Sequence, residues 1–292
     1  MKKILYTILF LVSVILFPAC SERIDLNLKA SEPKIVIYGC ITDVLSSQKI
    51  TISRSVPYFD NQHSPVISGA EVTITSSNNE RWILAEYSEK GVYETVFPRA
   101  GVAGETYSLR VEYDFDGDGV VEVYEASSYM HPGFVIDSVE IKSQRELGFN
   151  YYTVNLYGQE PEGKDYYVNN MYINSESLRL SDYSLIDDME LLDGKYMNGL
   201  VIYAFCDIED FDRYSKEQKE REIFVGTGDE LIVEVNRVEK GYLDFISQCQ
   251  RERRGENPFF GGPPSNIKGN ISNGAIGYFA AYSPSRIQTV VP

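Results

Sequence analysis

An acidic segment at residues 114–125 has the residue types and the spacing of a calcium-binding loop. Aspartates alternate along it, a glycine stands at the sixth position and a glutamate at the twelfth. Calcium takes about six to eight oxygen ligands, and aspartates two residues apart around a glycine turn can point inward together. The ligands predicted for a Ca²⁺ ion are the carboxylates and one carbonyl group of Asp114, Asp116, Asp118, Val120 and Glu122.

The strands expected on either side of this loop decide which glutamate can complete the site. Residues 107–113 lead into the loop and residues 120–128 lead out of it, both as strands. An extended run from Asp118 to Glu125 covers about 23 Å at about 3.3 Å per residue, so Glu125 lies too far away and Glu122 replaces it. A calcium ion here would be structural. The alternative is an acidic β-hairpin turn without a metal, because Asp-Gly is itself a hairpin signal.

The sequence contains no other motif with the spacing of a catalytic or cofactor site. Its two histidines, His63 and His131, lie far apart in proline-containing loops, and neither is accompanied by a nucleophile-elbow sequence. Zinc, phosphate-loop and dinucleotide motifs do not occur. We therefore predict no catalytic residues and a protein that is not an enzyme. A glycan hydrolase is a remote alternative, since 43 acidic residues always allow one pair of carboxylates at glycosidase separation.

The N-terminus has the pattern of a lipoprotein signal peptide, predicted to cover residues 1–19. Lys2 and Lys3 precede an apolar run at 4–17, which is shorter than the roughly 20 residues that span a bilayer. Cleavage before Cys20 and lipidation of its sulfur fit better than simple secretion, because Phe17 is large for an ordinary cleavage site. A lipid-modified Cys20 would anchor the protein stably in a lipid bilayer. Residues 20–33 are then a tether.

Composition and charge limit the class of partner. The 292 residues include 43 acidic and 27 basic side chains, a formal charge of −16, which argues against nucleic acid as a partner. Apart from Cys20, three cysteines remain, Cys40, Cys206 and Cys249, and an odd number cannot form a fully paired disulfide framework. One bond, for example between Cys206 and Cys249, and buried free thiols are both compatible with the sequence.

Alternating apolar and polar residues predict a mainly β fold of two β-sandwich-like domains. The first, at residues 34–133, has the strand spacing of an immunoglobulin-like or transthyretin-like sandwich. Its seven predicted strands are 35–42, 49–55, 71–76, 82–87, 92–96, 106–113 and 120–128. His131-Pro132-Gly133 ends this domain.

The second predicted domain, at residues 134–292, is also mainly β and has one amphipathic helix near 238–254. The helix is indicated by apolar residues at 238, 242, 245, 246 and 249, which share one helical face. Its predicted strands are 136–142, 151–157, 166–174, 199–206, 229–237 and 275–282. Phe259 and Phe260, in a proline- and glycine-rich loop, could contact a ligand or partner, or pack as part of the fold.

Several phrases in both halves of the chain resemble one family. They are residues 37–43, 53–59, 65–70 and 91–93 in the first half, and residues 228–231, 257–259, 264–267 and 269–279 in the second. The most specific is Gly-Asn-Ile-Ser-Asn-Gly-Ala-Ile-Gly-Tyr-Phe at 269–279. The sequence resembles the Bacteroidetes outer-membrane lipoproteins described as domain of unknown function four-two-four-nine, over nearly the whole mature chain.

The resemblance implies a cell-envelope lipoprotein, commonly encoded beside a TonB-dependent outer-membrane receptor. An acidic run after the lipidated cysteine resembles a signal for export to the cell surface in this phylum, although Arg23 interrupts it here. The expected role is that of a non-enzymatic surface binding or accessory protein working with a TonB-dependent transporter. A structural or adhesive subunit, similar to fimbrial lipoproteins of the same phylum, is the alternative.

Overall fold

The computed structural model describes residues 32–56, 64–187, 192–254 and 267–292, which are mainly β as predicted. The strands are β1 Ile35–Thr42, β2 Lys49–Arg54, β3 Glu71–Ser76, β4 Arg81–Glu86, β5 Val92–Thr95, β6 Thr106–Tyr113, β7 Glu122–Tyr129, β8 Ile136–Glu146, β9 Phe149–Gln159, β10 Tyr166–Ile173, β11 Glu176–Ser177, β12 Ser184–Asp187, β13 Tyr196–Asp207, β14 Phe224–Val225, β15 Glu230–Val238, β16 Ile276–Tyr282 and β17 Pro284–Val290. The helices are α1 Lys216–Arg221, α2 Lys240–Arg254 and the short 3₁₀ helices Leu180–Asp182 and Ile208–Arg213. Within these residues no helix is both long and apolar enough to cross a membrane.

The strands of the first half follow the predicted alternation. In β1 every second residue is buried, starting from Ile35, and β6 buries Tyr107, Leu109 and Val111 in the same way. Period-two burial arises because successive side chains of a strand point to opposite faces of the sheet. All seven predicted strands are present, with ends that differ by at most two residues.

These strands form one curled sheet of eight, in the order β16-β1-β2-β5-β4-β3-β6-β7. The sheet encloses a hydrophobic core that includes Trp82, Tyr107 and Ile37. The two end strands lie close together, since the Ala281 N–H of β16 donates to Ser128 Oγ of β7 at 3.0 Å. The sheet therefore wraps around its own core instead of remaining flat and open.

The strand β16 joins this first sheet although it comes from the C-terminal end of the chain. It pairs in parallel with β1, from Val36 opposite Ile276 to Thr42 opposite Tyr282. Gly277 permits this pairing, because its φ is +116° and a Cβ there would overlap the Ile37 carbonyl oxygen. The family-like phrase at 269–279 thus contains a glycine with a definite backbone role.

Asn270, in the same phrase, connects β16 to β7. Its side-chain oxygen accepts a hydrogen bond from the Phe279 N–H at 2.9 Å, and its amide donates to the Phe279 carbonyl at 2.8 Å. The same amide group also donates to the Ser127 carbonyl at 3.3 Å. One side chain therefore satisfies backbone groups of both end strands, which closes the curled sheet.

The second half forms a sandwich of two sheets. One has the order β11-β10-β15-β17, with β12 also paired to β10, and the other has the order β14-β13-β9-β8. Their shared core includes Val154, Leu156, Phe205, Leu231 and Val233. The strands β17 and β8 lie against each other on one side of this sandwich. The opposite side has β11 and β14, of two residues each, and the four-residue β12 as its edge strands.

The amphipathic helix begins two residues later than predicted. Val238 belongs to β15, where it pairs with Tyr166, and α2 starts at Lys240. The helical spacing from Val238 to Tyr242 is real, but Val238 contributes to the same core from the end of a strand. Lys240 and Asp244 form an exposed ion pair at 2.8 Å on the outer face of the helix.

The domain division remains a prediction. The predicted boundary at 131–133 falls between β7 and β8, where the chain passes from the first sheet to the second. Residues Pro33–Pro292 nevertheless form a single compact unit. The signal peptide at 1–19 lies outside the described residues, as does the tether up to residue 31.

Candidate functional site

The acidic loop joins β6 to β7 as the connection of a β-hairpin. Tyr113 and Glu122 are the last paired residues on either side of it. Gly117 and Gly119 have φ values of +78° and +88°, and this left-handed conformation lets the backbone turn twice within a few residues. The glycine and aspartate alternation in the sequence therefore produces the compact turn expected from it.

The structure brings three of the predicted ligands together. Carboxylate oxygens of Asp114, Asp116 and Glu122 all lie within 4.8 Å of one another. Asp114 and Glu122 are half-buried and Asp116 is exposed. Asp118 does not join this group, and its Oδ1 accepts from the Val120 N–H at 2.7 Å. Val120 itself is 63% exposed.

Backbone N–H groups hold these carboxylates in place. Both oxygens of Asp114 accept hydrogen bonds, from Gly117 at 2.7 Å and from Gly119 at 3.0 Å. Glu122 Oε2 accepts from the Phe115 N–H at 2.8 Å. A carboxylate oxygen has a second lone pair that can bind a cation while the first accepts a hydrogen bond. The geometry therefore suits either a calcium site or a metal-free acidic turn, and calcium stays a prediction.

Glu125 is placed away from the loop, as its distance along the strand required. It lies on β7, where Arg110 Nη1 contacts its Oε1 at 2.7 Å. The same guanidinium contacts Glu112 Oε1 at 2.6 Å through Nε. Glu125 is thus engaged in a surface ion pair on the outer face of the sheet.

Cys20, Phe259, Phe260 and His63 lie outside the described residues. His131 is described, and its ring lies edge-on to that of Tyr129 with 4.8 Å between ring centroids. Burial, followed by the nearby positive charge of Arg237, lowers the pKa of His131. This histidine packs at the junction of β7 with the following segment.

Cys40, Cys206 and Cys249 are free thiols, so the disulfide between Cys206 and Cys249 that the sequence permitted is not formed. Burial raises the pKa of each thiol. The Cys40 Sγ lies 3.3 Å from the hydroxyl oxygen of Tyr242. These thiols are structural in character, because a raised pKa reduces the reactive thiolate.

Two open grooves were not predicted from the sequence. One, of about 850 Å³, lies on the polar outer face of β3, β6 and β7, and Thr73, Arg110 and Asn270 are among its lining residues. The other, of about 560 Å³, is lined by residues of β10, β11 and β14 and their flanking segments. Both grooves combine segments that are distant in the chain, so no local sequence motif predicts them.

Comparisons with known proteins give a family match over most of the chain. The model of a family described as "Domain of unknown function (DUF4249)" matches residues 21–288. No curated protein matches the chain. Among solved structures, a two fibronectin type-III domain segment from chicken tenascin is similar at 10% identity, covering 72% of this chain and 91% of that chain, with a TM-score of 0.19. A TM-score this low establishes no common fold, so the architecture rests on the strands and sheets described above.

Proposed function

The chain belongs to the family described as Domain of unknown function (DUF4249), and from this premise we propose that it is a lipid-anchored binding protein of the outer membrane. In this proposal Cys20 carries the lipid, and the folded part is exposed at the cell surface. The protein works as a non-enzymatic accessory of a TonB-dependent receptor. Its task is to bind or present the receptor's nutrient or a partner protein.

The observation that carries the proposal is where the family match begins. It starts at residue 21, directly after Cys20, and excludes the positively charged and apolar segment that precedes it. A signal peptide is removed from the mature protein and is not part of its fold. A family domain that starts beside the predicted lipidated cysteine is therefore the arrangement expected of a lipoprotein.

Two neighbouring loops form a patch with exposed apolar side chains, which supports docking to a protein. Leu45 is 71% exposed in the loop between β1 and β2, and Phe97 is 67% exposed in the loop between β5 and β6. The two loops are held together by paired hydrogen bonds between the backbones of Ser46 and Arg99, at 2.9 and 3.2 Å. They lie at the C-terminal end of β1. Exposed apolar groups on neighbouring loops can form part of a protein interface.

Affinity purification from outer membranes tests this proposal. The tagged full-length protein is isolated in mild detergent, and co-purifying proteins are quantified by mass spectrometry. We expect a TonB-dependent receptor to co-purify stoichiometrically with the unmodified protein. The receptor should no longer co-purify when Leu45→Glu and Phe97→Glu together place two charges in the patch. Leu147→Glu is the matched control, because Leu147 is 93% exposed at the distant β8–β9 turn. It should retain the receptor.

Membrane fractionation tests the anchor separately. Cys20→Ser should release the protein from the membrane fraction, whereas Cys249→Ser should not, since Cys249 is a free thiol inside the fold. A Cys20→Ser protein that remains in the membrane contradicts the lipid anchor. Recovery of the unmodified protein without any receptor contradicts the accessory role, and ladders of the protein alone on non-reducing gels would support the adhesive alternative.

A further inference from the structure

The groove of about 560 Å³ lies between the two short edge strands of the C-terminal sandwich. Its lining includes Ser177 of β11 and Phe224 of β14. These strands belong to the two different sheets that enclose the same core. On the far side of that core the sheets are closed, because β17 and β8 lie against each other there. The groove is therefore the open seam of the sandwich.

The floor of the groove is apolar. Ile173, Leu178 and Ile223 line it and also pack against the core of the sandwich, although each is only partly buried. Phe224 lines it as well, and its ring is fixed from behind by Phe211 at 4.9 Å and Tyr214 at 5.1 Å between centroids. An apolar side chain entering the seam would extend the existing core and lose its own contact with water.

Both edges of the seam present unpaired positions of a strand. Leu178 donates to the Met171 carbonyl, so in this antiparallel pair the N–H and C=O of the adjacent Ser177 point away from β10. On the other edge, the Cys206 N–H donates to the Ile223 carbonyl. In a parallel pair this places the N–H and C=O of Phe224 away from β13. An added strand can form hydrogen bonds with such groups.

The rim of the seam is acidic. Among the described residues that line it, Arg179 is the one basic residue, and its guanidinium is paired with Asp182 at 2.8 Å. Glu176 and Glu222 also line the seam, and neither forms an ion pair with the residues that the structure describes. The excess of negative charge is complementary to lysine or arginine on a bound segment.

We propose that this seam binds an extended peptide segment of a partner protein, in which apolar residues alternate with lysine or arginine. The segment adds as a strand between β11 and β14, its apolar side chains cover the floor, and its basic side chains meet Glu176 and Glu222. Strand addition uses backbone hydrogen bonds for affinity and alternate side-chain positions for specificity. The proposal does not depend on the receptor role or on the lipid anchor.

Fluorescence polarisation with a defined peptide tests strand addition. The probe is a labelled heptapeptide, Lys-Val-Lys-Phe-Lys-Val-Lys, with blocked ends, and the protein is the full-length chain in detergent. Ser177→Pro removes the N–H that points away from β10, at a position where an edge strand tolerates proline. Ser177→Ala is its matched control, since both variants lose the hydroxyl group. We expect Ser177→Pro to weaken binding about tenfold relative to Ser177→Ala.

Charge reversal tests the acidic rim in the same assay. Glu222→Lys should weaken binding at least about fivefold, whereas Glu220→Lys, an exposed change of equal charge on the adjacent helix α1, should change it less than about twofold. Near-ultraviolet circular dichroism confirms that each variant is folded. A probe with lysines replaced by glutamates, or with an N-methylated central phenylalanine, should not bind.

Three results would overturn the proposal. The first is no binding of the lysine probe at concentrations up to about 1 mM, the affinity limit of a weak specific site. The second is that Ser177→Pro and Ser177→Ala bind the probe equally, or that the N-methylated probe binds as tightly as the unmethylated one. Either result would exclude strand addition. The third is a dimer in sedimentation that Glu222→Lys dissociates, since it would assign the seam to a second copy of this chain.

Discussion

Three carboxylates meet in the loop between β6 and β7, where the neighbouring Arg54 Nη2 donates to the Phe115 carbonyl at 2.8 Å. In the described part of the chain, no ion pair involves Asp114, Asp116 or Glu122. Their oxygens lie within 4.8 Å of one another, so the folded protein holds like charges together that the unfolded chain can separate. A divalent cation would remove this repulsion, which gives the calcium prediction its energetic basis.

We predict that calcium stabilises the protein and that Asp116→Asn removes most of this effect. A ligand that binds only the folded state, at a free concentration of about 100 times its Kd, adds about 2.7 kcal/mol to the free energy of unfolding. Asparagine keeps the oxygen that accepts from the Asp118 N–H but loses the charge near Asp114 and Glu122. The measurement is the melting temperature with about 5 mM calcium, which is above the Kd of about 0.1–1 mM of weak sites, and with chelator.

Asp118→Asn is the matched control for this experiment. Asp118 also accepts a backbone hydrogen bond two residues ahead, but its carboxylate lies outside the group of three. The variant should therefore keep the calcium effect. An unmodified protein whose melting temperature is the same in calcium and in chelator would show that the loop is a metal-free turn.

The residues of the loop were predictable because their geometry is set by neighbours in the sequence. Alternating aspartates and glycines within nine residues determine the turn, and the structure places Glu122, not Glu125, beside Asp114 and Asp116. Asp118 lies outside this group of three, which spacing alone cannot show, because Asp116 and Asp118 each accept from the backbone N–H two residues ahead. The seam between β11 and β14 was not predictable, since two-residue strands carry no periodic signal.

At the scale of elements, the position of β16 depends on Gly277. A residue with a Cβ at this position would overlap the backbone of β1, which cannot move without disturbing its pairing with β2. The sheet would then lose its edge strand and the cover that β16 gives to the core through Phe279. Gly277 therefore controls whether the C-terminal strand can reach its place in the first sheet.

Gly277→Ala should destabilise the protein far more than Gly274→Ala. Both glycines have positive φ, at +116° and +72°, but a Cβ at Gly274 meets nothing within 4 Å. We expect a loss of about 1 kcal/mol in the free energy of unfolding for Gly274→Ala and of about 3 kcal/mol or more for Gly277→Ala. Urea denaturation measures both, and equal losses would refute a specific role for the close approach to β1.

The strands themselves were largely visible in the sequence, whereas their pairing was not. Alternation located the seven strands of the first half and β8, β9, β10, β13 and β15 of the second. The strand β16 was also located, but its assignment to the second domain gave no hint of parallel pairing with β1, about 240 residues away. Such pairing depends on the assembled core, for which no local pattern exists. The final strand β17 was missed.

At the scale of the whole molecule, tyrosines are a large part of the buried surface. A cluster around α2 contains Tyr38, Tyr242, Tyr278 and Tyr282, with Tyr38 and Tyr242 joined by a hydrogen bond of 3.0 Å between their hydroxyls. Burial raises the pKa of all four. Burial likewise raises the pKa of Tyr183, next to this cluster, to about 12. These phenols must stay neutral in the folded state.

We predict a cooperative alkaline unfolding above pH 10. The unfolded pKa of tyrosine is about 10, and the folded pKa of the buried phenols is higher. Their contribution to stability is therefore complete below pH 10 and is lost as the pH rises toward their folded pKa values. Absorbance at 295 nm should show exposed tyrosines ionising first, and the remainder ionising together with the loss of near-ultraviolet circular dichroism.

A pair of phenylalanine variants isolates the contribution of the cluster. Tyr242→Phe removes a buried ionisable group and should move the alkaline midpoint upward. Tyr87→Phe, at a side chain that is 64% exposed, should leave the midpoint unchanged. A single gradual titration of all 22 tyrosines near pH 10, with the fold intact, would contradict the expected two-step behaviour.

In the export that we propose for this chain, the parallel pairing of β16 with β1 sets the order of events. A secreted polypeptide emerges from the translocation channel with its N-terminus first, so β1 is outside long before β16. Until β16 follows, one edge of β1 has unpaired backbone groups, and such an edge can pair with the wrong strand or aggregate. The first sheet can thus be completed only after β16 has been translocated, and until then the proposed export should require protection of β1 by a chaperone.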